Sequence, residues 1–328
     1  MSQIADVGAV RRAVTGYAEG LRAGPGLAER AGMAATELAA NLLCHALPGG
    51  WILVRPLPPA AVEMIAADRG PGIDDAAAAL DGRSPRRDGL GCGLSAVARV
   101  SSCFDIDTGP GRATTVLAVV ESTAAIRTTA APRPPRSWAG VSVGLEEACG
   151  DGWAVTEGGG GITVTVVDGL GHGVYASAAA DAAMAPLTDA PADIDGYLAR
   201  ANAAMRGTRG AAVGVCRLQP DRGELRYLSV GNVSGGILGR GGQCTLIAYR
   251  GTVGTHAAPP PAKILSYPWP PGATLVLWTD GLAGHIDLAA YTGLFGRDPA
   301  ITAAALHRDH STDRDDSTVV VVRNHTQP

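Results

Sequence analysis

The chain has 328 residues, a formal net charge of −4 at pH 7 and a sequence pI near 6.0. This length is enough for two ordinary domains, and the charge excludes the strongly basic surface with which proteins bind nucleic acid or an anionic membrane. The six cysteines form no Cys-x-x-Cys pair, so neither a zinc site nor a disulfide framework is expected. We expect a cytoplasmic protein, because the N-terminus lacks a signal-peptide pattern and the apolar runs are too short to span a bilayer.

Helical and strand patterns mix in the first part of the chain. Apolar periodicity predicts helices near 5–22, 27–46 and 93–102, and strands near 51–56, 61–67, 103–108 and 113–120. This content indicates a two-layer α/β sandwich. A stretch rich in proline, alanine and arginine follows, and we interpret residues 122–137 as a linker between a domain at 1–121 and a domain at 138–328.

The first of three polar motifs is TELAANLLCHA (36–46). Glu37 and Asn41 are four residues apart and therefore share one face of the predicted helix. An asparagine oxygen is a suitable ligand for Mg²⁺, and a glutamate one turn earlier can orient or deprotonate a water or hydroxyl. Taken alone, the motif is more typical of a polar stripe on an amphipathic helix.

The other two motifs place glycine-rich turns beside polar groups. AADRGPGI (66–73) ends a strand in Asp68, whose carboxylate can accept from the exocyclic amine of adenine, and continues through Gly70 and Gly72. The third motif is DGLGCGLSAVARVSS (88–102). Its glycines Gly89, Gly91 and Gly93 lead into a predicted helix, whose N-terminus can face an anion. Each motif alone is weak evidence, since such turns are common.

Together with GRATTVLAV (111–119), these motifs resemble the nucleotide-binding domain of the GHKL superfamily, in its RsbT-like serine-kinase and anti-sigma branch. The resemblance covers about residues 5–120 and implies a Bergerat-type fold that binds ATP with Mg²⁺. It implies that Glu37 is the catalytic base and Asn41 the Mg²⁺ ligand. The other nucleotide-binding residues that it implies are Asp68, Gly70, Gly72, Gly89, Gly91, Gly93 and Thr115.

Departures from the family pattern bear on phosphoryl transfer more than on nucleotide binding. Ala40 stands where RsbT-like kinases usually carry arginine, and Ala113 replaces a glycine before the threonine pair. The segment 74–91 would be a short lid over the triphosphate. Its arginines could supply charge to the γ-phosphate or belong to a solvated loop; they are Arg83, Arg86 and Arg87.

Strand patterns dominate the second half. Strands are predicted near 139–145, 162–167, 211–218, 224–230, 244–248, 273–279 and 317–323, with helices near 174–186 and 193–206. A further strand is expected after Asp151, and SVGNVSGGIL (229–238) contains another strand motif. Many strands with few helices indicate packed antiparallel sheets with helices outside.

Four acidic positions in this half stand at strand ends beside turn-forming residues. VVDGLGHGVYASAAA (166–180) sets Asp168 before a glycine-rich turn, and three other segments contribute Asp151, Asp280 and Asp315. Hard oxygen ligands in this number suit Mg²⁺ or Mn²⁺ rather than zinc. Two such ions about 3.5–4 Å apart can share a hydroxide that attacks phosphorus. Any single Asp-Gly pair is more often only a turn.

This set resembles the metal-dependent Ser/Thr phosphatases of the PPM family, in their compact SpoIIE/RsbX-like form, over about residues 138–328. The resemblance implies an α-β-β-α sandwich that holds two metal ions. It implies that the catalytic Asp168 bridges the two ions and that the Gly169 carbonyl is a neighbouring ligand. It implies that Asp151 binds one ion and that Asp280 and Asp315 bind the other, while Asp316 supports them. His172 is either the acid that protonates the leaving group or a capping or packing residue.

The sequence therefore predicts an α+β chain of two domains with opposed activities. We expect a bifunctional partner-switching regulator that dephosphorylates a STAS-type antagonist and phosphorylates serine on the same pathway, and so controls a sigma factor or stress response. In the alternative, the first domain only senses nucleotide or sequesters a partner. A third reading is a scaffold with degenerate sites, and a homodimer is one assembly that the resemblance allows.

Overall fold

A computed structural model describes residues 4–21, 26–57, 59–82, 93–122, 136–190 and 192–325. The chain divides into two compact units, Met1–Pro135 and Arg136–Pro328. Most of the predicted linker lies outside the described residues, and so do Gly89, Gly91 and the three arginines of the predicted lid. None of the described helices combines the length and the apolar character needed to cross a membrane.

The first unit contains a four-stranded antiparallel sheet in the order β1-β2-β4-β3. Its strands are β1 (Gly50–Leu57), β2 (Ala61–Asp68), β3 (Cys103–Gly109) and β4 (Arg112–Glu121). Its described helices are α1 (Ile4–Gly20), α2 (Leu27–His45), α3 (Ala76–Leu80) and α4 (Gly93–Val100). The sequence patterns predicted all of these elements except the short α3.

The core of this unit follows from alternation in the strands. Val62, Met64 and Ala66 are buried on one face of β2, because successive strand side chains point to opposite faces. Helix α2 covers this face with apolar residues three or four positions apart, among them Leu38. The unit is therefore a layer of helices on an antiparallel sheet, the two-layer arrangement that the sequence predicts.

The second unit contains two five-stranded antiparallel sheets, in the orders β11-β10-β13-β14-β5 and β12-β9-β8-β7-β6. The first sheet is built from β5 (Trp138–Val143), β10 (Ser234–Gly239), β11 (Gly242–Thr245), β13 (Thr274–Trp278) and β14 (Ser317–Arg323). The second is built from β6 (Asp151–Gly158), β7 (Gly161–Gly169), β8 (Ala211–Gln219), β9 (Glu224–Val230) and β12 (Leu265–Pro268).

The helices of this unit lie on the outer faces of the two sheets. They are α5 (Val174–Asp189), α6 (Tyr197–Ala204) and α7 (Pro299–His310). Val166 belongs to the core between the sheets, whereas its neighbour Val167 packs with α5 and α6 on the outer face. Helix α7 packs on β14 and β5 of the other sheet. The α-β-β-α layering predicted for this half is confirmed.

The prediction of only two helices in this half is wrong, because α7 is a third. Its start signal is present in the sequence, since the Asp298 side chain accepts from Ala300 N and Pro299 occupies the first turn. The helix is almost wholly buried, so it lacks the polar face by which an amphipathic helix is recognised.

Two glycines of the first unit allow a matched test of close backbone packing. Both Gly72 and Gly111 have a positive φ, but a Cβ at Gly72 would overlap the carbonyl oxygens of Gly109 and Arg112, whereas a Cβ at Gly111 meets nothing. Gly111→Ala should cost about 1 kcal/mol through backbone strain alone, and Gly72→Ala about 3 kcal/mol or more. Hydrogen exchange of β2 and β4 amides measures both, and equal effects would contradict the packing described here.

Candidate functional site in the second unit

Two carboxylates face each other at the end of the second sheet. Strand β6 begins at Asp151 and β7 ends one residue after Asp168, and the antiparallel register pairs these two aspartates directly. Directly opposed residues of neighbouring antiparallel strands project to the same face of the sheet, with side chains in contact range. Asp151 is buried and Asp168 is half-buried. The sequence predicted that both aspartates stand at strand ends, and the register brings them together.

The other sheet contributes a third carboxylate and two tethers. Asp280 follows β13, and Asn232 donates a hydrogen bond to its Oδ2 over 2.7 Å. The hydroxyl of the neighbouring Thr279 donates a hydrogen bond to Asp151 Oδ2 over 2.6 Å. The Thr279 hydroxyl oxygen in turn accepts a hydrogen bond from Thr318 N. These bonds hold Asp151 and Asp280 to the same end of the sandwich. Neither Asn232 nor Thr279 was selected from the sequence, although Asn232 lies within the motif SVGNVSGGIL.

Adjacent Asp315 and Asp316 differ sharply in their surroundings. Asp316 is buried, and its two oxygens accept from Leu145 N and Gly150 N, each over 2.6 Å. Asp316 therefore fixes the loop between β5 and β6, and with it the position of Asp151. Asp315 is exposed and accepts from Asp316 N over 2.9 Å.

Burial and crowding raise the pKa values of the opposed pair. Burial, the largest cause, raises the pKa of Asp151 to about 7, with the charges of Asp316 and Asp280 adding to it and hydrogen bonds from Thr279 and Thr318 opposing it. Burial also raises the pKa of Asp168 to about 8, together with the charges of Asp151 and Asp280 and a hydrogen bond to Asp280. Near neutral pH, the pair therefore holds protons that a cation would displace.

This donor set fits hard divalent cations. Its oxygens belong to carboxylates that repel one another when ionised, and a cation in their midst removes that repulsion. Among the described residues, no three carboxylate, imidazole or thiol side chains already surround one point as ligands. The contacts join the carboxylates in pairs, Asp151 with Asp168 and Asp168 with Asp280. Water and backbone carbonyls would complete the shells, as Mg²⁺ usually requires.

The glycines after Asp168 permit a tight approach of backbone to backbone. A Cβ at Gly169 would overlap the carbonyl oxygen of Ala176, and Gly169 N donates to Gly150 O over 3.1 Å. Leu170 N donates to Gly210 O over 3.0 Å. The segments around Gly150 and Gly210 thus hold the turn that begins at Asp168. Because the backbone of Ala176 lies so close, position 169 has no room for a side chain.

His172 is held by a carboxylate rather than placed among the aspartates. Its Nδ1 lies 2.7 Å from Glu146 Oε1, and both side chains are about half exposed. Glu146 belongs to the loop that Asp316 fixes through Leu145 N. The pair therefore joins the loop after β5 to the turn after β7. Glu146 is not among the site residues that the sequence predicts, and nothing in the local pattern indicates its partner.

The first unit brings together part of the predicted nucleotide site. Glu37 Oε2 accepts from Gly93 N at the start of α4 over 3.1 Å, and the buried Asn41 amide nitrogen has no hydrogen-bond partner in the part of the chain that the structure describes. Asp68 Oδ1 accepts from Gly70 N over 2.8 Å and from Thr114 N over 3.1 Å. The predicted Thr115 is buried opposite Ala67 of β2, one position beyond that contact.

Comparison with known proteins places the second unit. The family described as Stage II sporulation protein E (SpoIIE) matches residues 158–325, whereas no curated protein matches the chain. A solved structure from work on the bacterial stressosome, a modular system adapted to control secondary messenger signalling, is 27% identical with a TM-score of 0.53. The match covers 57% of this chain and 98% of that chain.

Two further solved structures are similar at lower TM-scores. RsbX in complex with magnesium is 22% identical with a TM-score of 0.49, over 56% of this chain and 92% of that chain. The catalytic domain of the serine/threonine phosphatase PstP, in complex with two manganese ions, is 17% identical with a TM-score of 0.46, over 57% of this chain and 96% of that chain.

The raised pKa values predict that metal binding releases protons. At pH 6.5, below the values of about 7 and about 8, binding of Mn²⁺ should release one to two protons per chain, since the metal takes the ionised carboxylates. At pH 9 these two carboxyl groups should contribute close to zero, and the protons still released there come from metal-bound water. Calorimetric titration with Mn²⁺ in buffers of different ionisation enthalpy measures the number, and equal release at both pH values would contradict the raised pKa values.

The metal-free protein supplies the control. Carboxyl groups with raised pKa values stabilise the folded state fully below the ordinary aspartate value of 3.8, and this stabilisation is lost as the pH rises through about 7 and about 8. In the presence of a chelator, the Tm of the unchanged protein should therefore fall as the pH rises from about 4 to about 8. The Tm of Asp168→Asn should fall less steeply over the same range.

Proposed function

The chain belongs to the SpoIIE family, and from this premise we propose that its second unit is a metal-dependent protein phosphatase acting on phosphoserine or phosphothreonine. The single observation that carries the proposal is the directly opposed pair of buried Asp151 and half-buried Asp168, with Asp280 brought against it from the other sheet. A cluster of like charges at one end of a sandwich favours divalent cations, and a phosphate ester is the substrate that such cations attract.

The proposed ligands are those expected from the sequence. Asp168 and Asp151 would hold the ions on one sheet, with the Gly169 carbonyl beside them, and Asp280 and Asp315 would hold them on the other side. When bound, a pair of Mn²⁺ or Mg²⁺ ions supplies a hydroxide nucleophile and neutralises the phosphoryl oxygens and the leaving alkoxide.

The residues around these ligands orient them. The Thr279 hydroxyl fixes Oδ2 of Asp151, and the Asn232 amide fixes Oδ2 of Asp280. Such outer partners keep carboxylates in the geometry that catalysis requires. His172, bonded to Glu146, would orient the turn after Asp168 rather than protonate the leaving group.

We propose a phosphorylated STAS-type antagonist as the substrate and a sigma factor or stress response as the output. The similarity to a structure from work on the bacterial stressosome supports a regulatory protein partner. Because the family match begins at residue 158, it gives no support for the first unit, whose function rests on its own residues.

For the first unit we propose ATP binding with Mg²⁺ and serine-kinase activity on the same pathway. The contact between Glu37 and Gly93 N places the proposed base beside the start of α4, and Asp68 keeps its Oδ2 without a hydrogen bond to a described residue. Among the described residues the buried Asn41 amide nitrogen has no hydrogen-bond partner, and a bound ligand would satisfy it. Ala40 favours the alternative, a nucleotide sensor without phosphoryl transfer.

Asp168→Asn tests the phosphatase proposal. The change keeps the size of the side chain but removes the charge proposed to bridge the two ions, so Mn²⁺-dependent release of phosphate from a phosphoserine protein should fall about 1000-fold or more. Asp181→Asn on the exposed face of α5 is the matched control and should retain full activity. Equal rates for Asp168→Asn and the control would remove the proposal.

Glu37→Gln separates the two readings of the first unit. If the unit is a kinase, radiolabelled γ-phosphate should appear on a STAS-domain protein and vanish in Glu37→Gln, while binding of ATP persists. Glu29→Gln, on an exposed position of the same helix, serves as the control. ATP binding without any transfer by the unchanged protein would favour the sensor, and absence of ATP binding would exclude both readings.

A further inference from the structure

Large exposed apolar side chains gather around the carboxylate cluster. In the described part of the second unit, five large hydrophobic side chains are prominently exposed, and four of them belong to the loop after β5 or to the turn that leads into α5. These four are Leu145, Leu170, Val174 and Tyr175. We refer to them, together with Arg209, as the site-rim patch. An exposed apolar group of this kind is typical of an interaction surface, whereas single exposed hydrophobic residues are not.

The patch is continuous with the carboxylate site. Leu170 is two residues beyond Asp168, and Leu145 N is bonded to Asp316. The contact between His172 Nδ1 and Glu146 Oε1 joins the two segments that carry the patch. Any protein whose phosphorylated residue reaches Asp168 would therefore cover part of this surface.

Arg209 adds a positive charge to the patch. Its guanidinium carbon lies 5.1 Å from the centre of the Tyr175 ring, which is a cation–π contact. The segment that carries it is bonded to the turn through Leu170 N and Gly210 O. Within the described ranges, no carboxylate forms an ion pair with Arg209. An exposed guanidinium on an aromatic ring beside apolar side chains is the composition enriched at protein interfaces.

We propose that the site-rim patch is the docking surface for the serine-phosphorylated STAS-type protein, and this inference rests on the proposed phosphatase function. The apolar residues would bury the partner's surface beside its phosphoserine, and Arg209 would meet an anionic group of that partner. Docking of this kind gives the enzyme selectivity for a protein beyond the phosphate that all phosphoesters share.

The test compares a protein substrate with a small phosphate ester. With Mn²⁺ present, kcat/KM is measured for a serine-phosphorylated STAS-domain protein and for p-nitrophenyl phosphate. Val174 and Tyr175 are 66% and 67% exposed, so Val174→Ser and Tyr175→Ala leave no cavity in the core. Each should lower kcat/KM for the phosphoprotein about tenfold, mainly through KM, while hydrolysis of the small ester stays within about twofold.

Ile247→Ala is the matched control, because Ile247 is 59% exposed but belongs to neither segment of the patch. It should leave both activities unchanged. Equal losses on both substrates, or no loss in either patch variant, would overturn the docking surface. Hydrolysis of the small ester alone by the unchanged protein would overturn the STAS-type occupant, and hydrolysis of neither substrate would remove the proposed function and the docking surface together.

A second copy of the chain is the competing occupant. If it covers the patch, sedimentation of the unchanged protein should show a dimer that Tyr175→Ala dissociates, and this result would overturn the proposal. A monomer, or a dimer that Tyr175→Ala leaves intact, together with the selective loss on the phosphoprotein, would support it.

Discussion

The opposition of Asp151 and Asp168 across β6 and β7 is the constraint on which the rest of the second unit depends. Two carboxylates directly opposed in a poorly solvated place disfavour each other's ionisation, and the folded state bears this free-energy cost only where a bound positive charge neutralises them. Near neutral pH, a bound proton or a metal cation can neutralise the pair. The raised pKa values of both groups express the same crowding. A site of this kind is unfavourable for a purely structural role and well suited to divalent metal ions.

The sandwich architecture makes the crowding possible by holding each carboxylate from a different direction. Strand pairing fixes Asp168, the Thr279 hydroxyl fixes Asp151, and Asn232 fixes Asp280. Asp316 accepts hydrogen bonds from two backbone N–H groups and so positions the loop before β6. Because these tethers come from both sheets, the cluster forms only when the whole sandwich has folded.

Much of this unit was predictable because its signals are local. An apolar run that ends in Asp-Gly marks a strand end, and the unbroken run of valine, isoleucine and threonine along β7 is typical of a strand buried on both faces. The unpredicted features are long-range contacts between segments without local patterns, such as Glu146 with His172 and Thr279 with Asp151. Helix α7 escaped recognition because it is buried nearly all round. In the first unit, the helix spacing of Glu37 and Asn41 was visible in the sequence, but the contact of Glu37 with Gly93 N was not.

The central claim is that these separated aspartates hold two divalent cations close together. Electron paramagnetic resonance of the protein loaded with Mn²⁺ tests it most directly, because two Mn²⁺ ions bridged by one carboxylate couple their spins. We expect the spectrum of a coupled pair of ions, and we expect it to disappear in Asp168→Asn. A spectrum of isolated Mn²⁺ ions in the unchanged protein, or no bound Mn²⁺ at all, would contradict it.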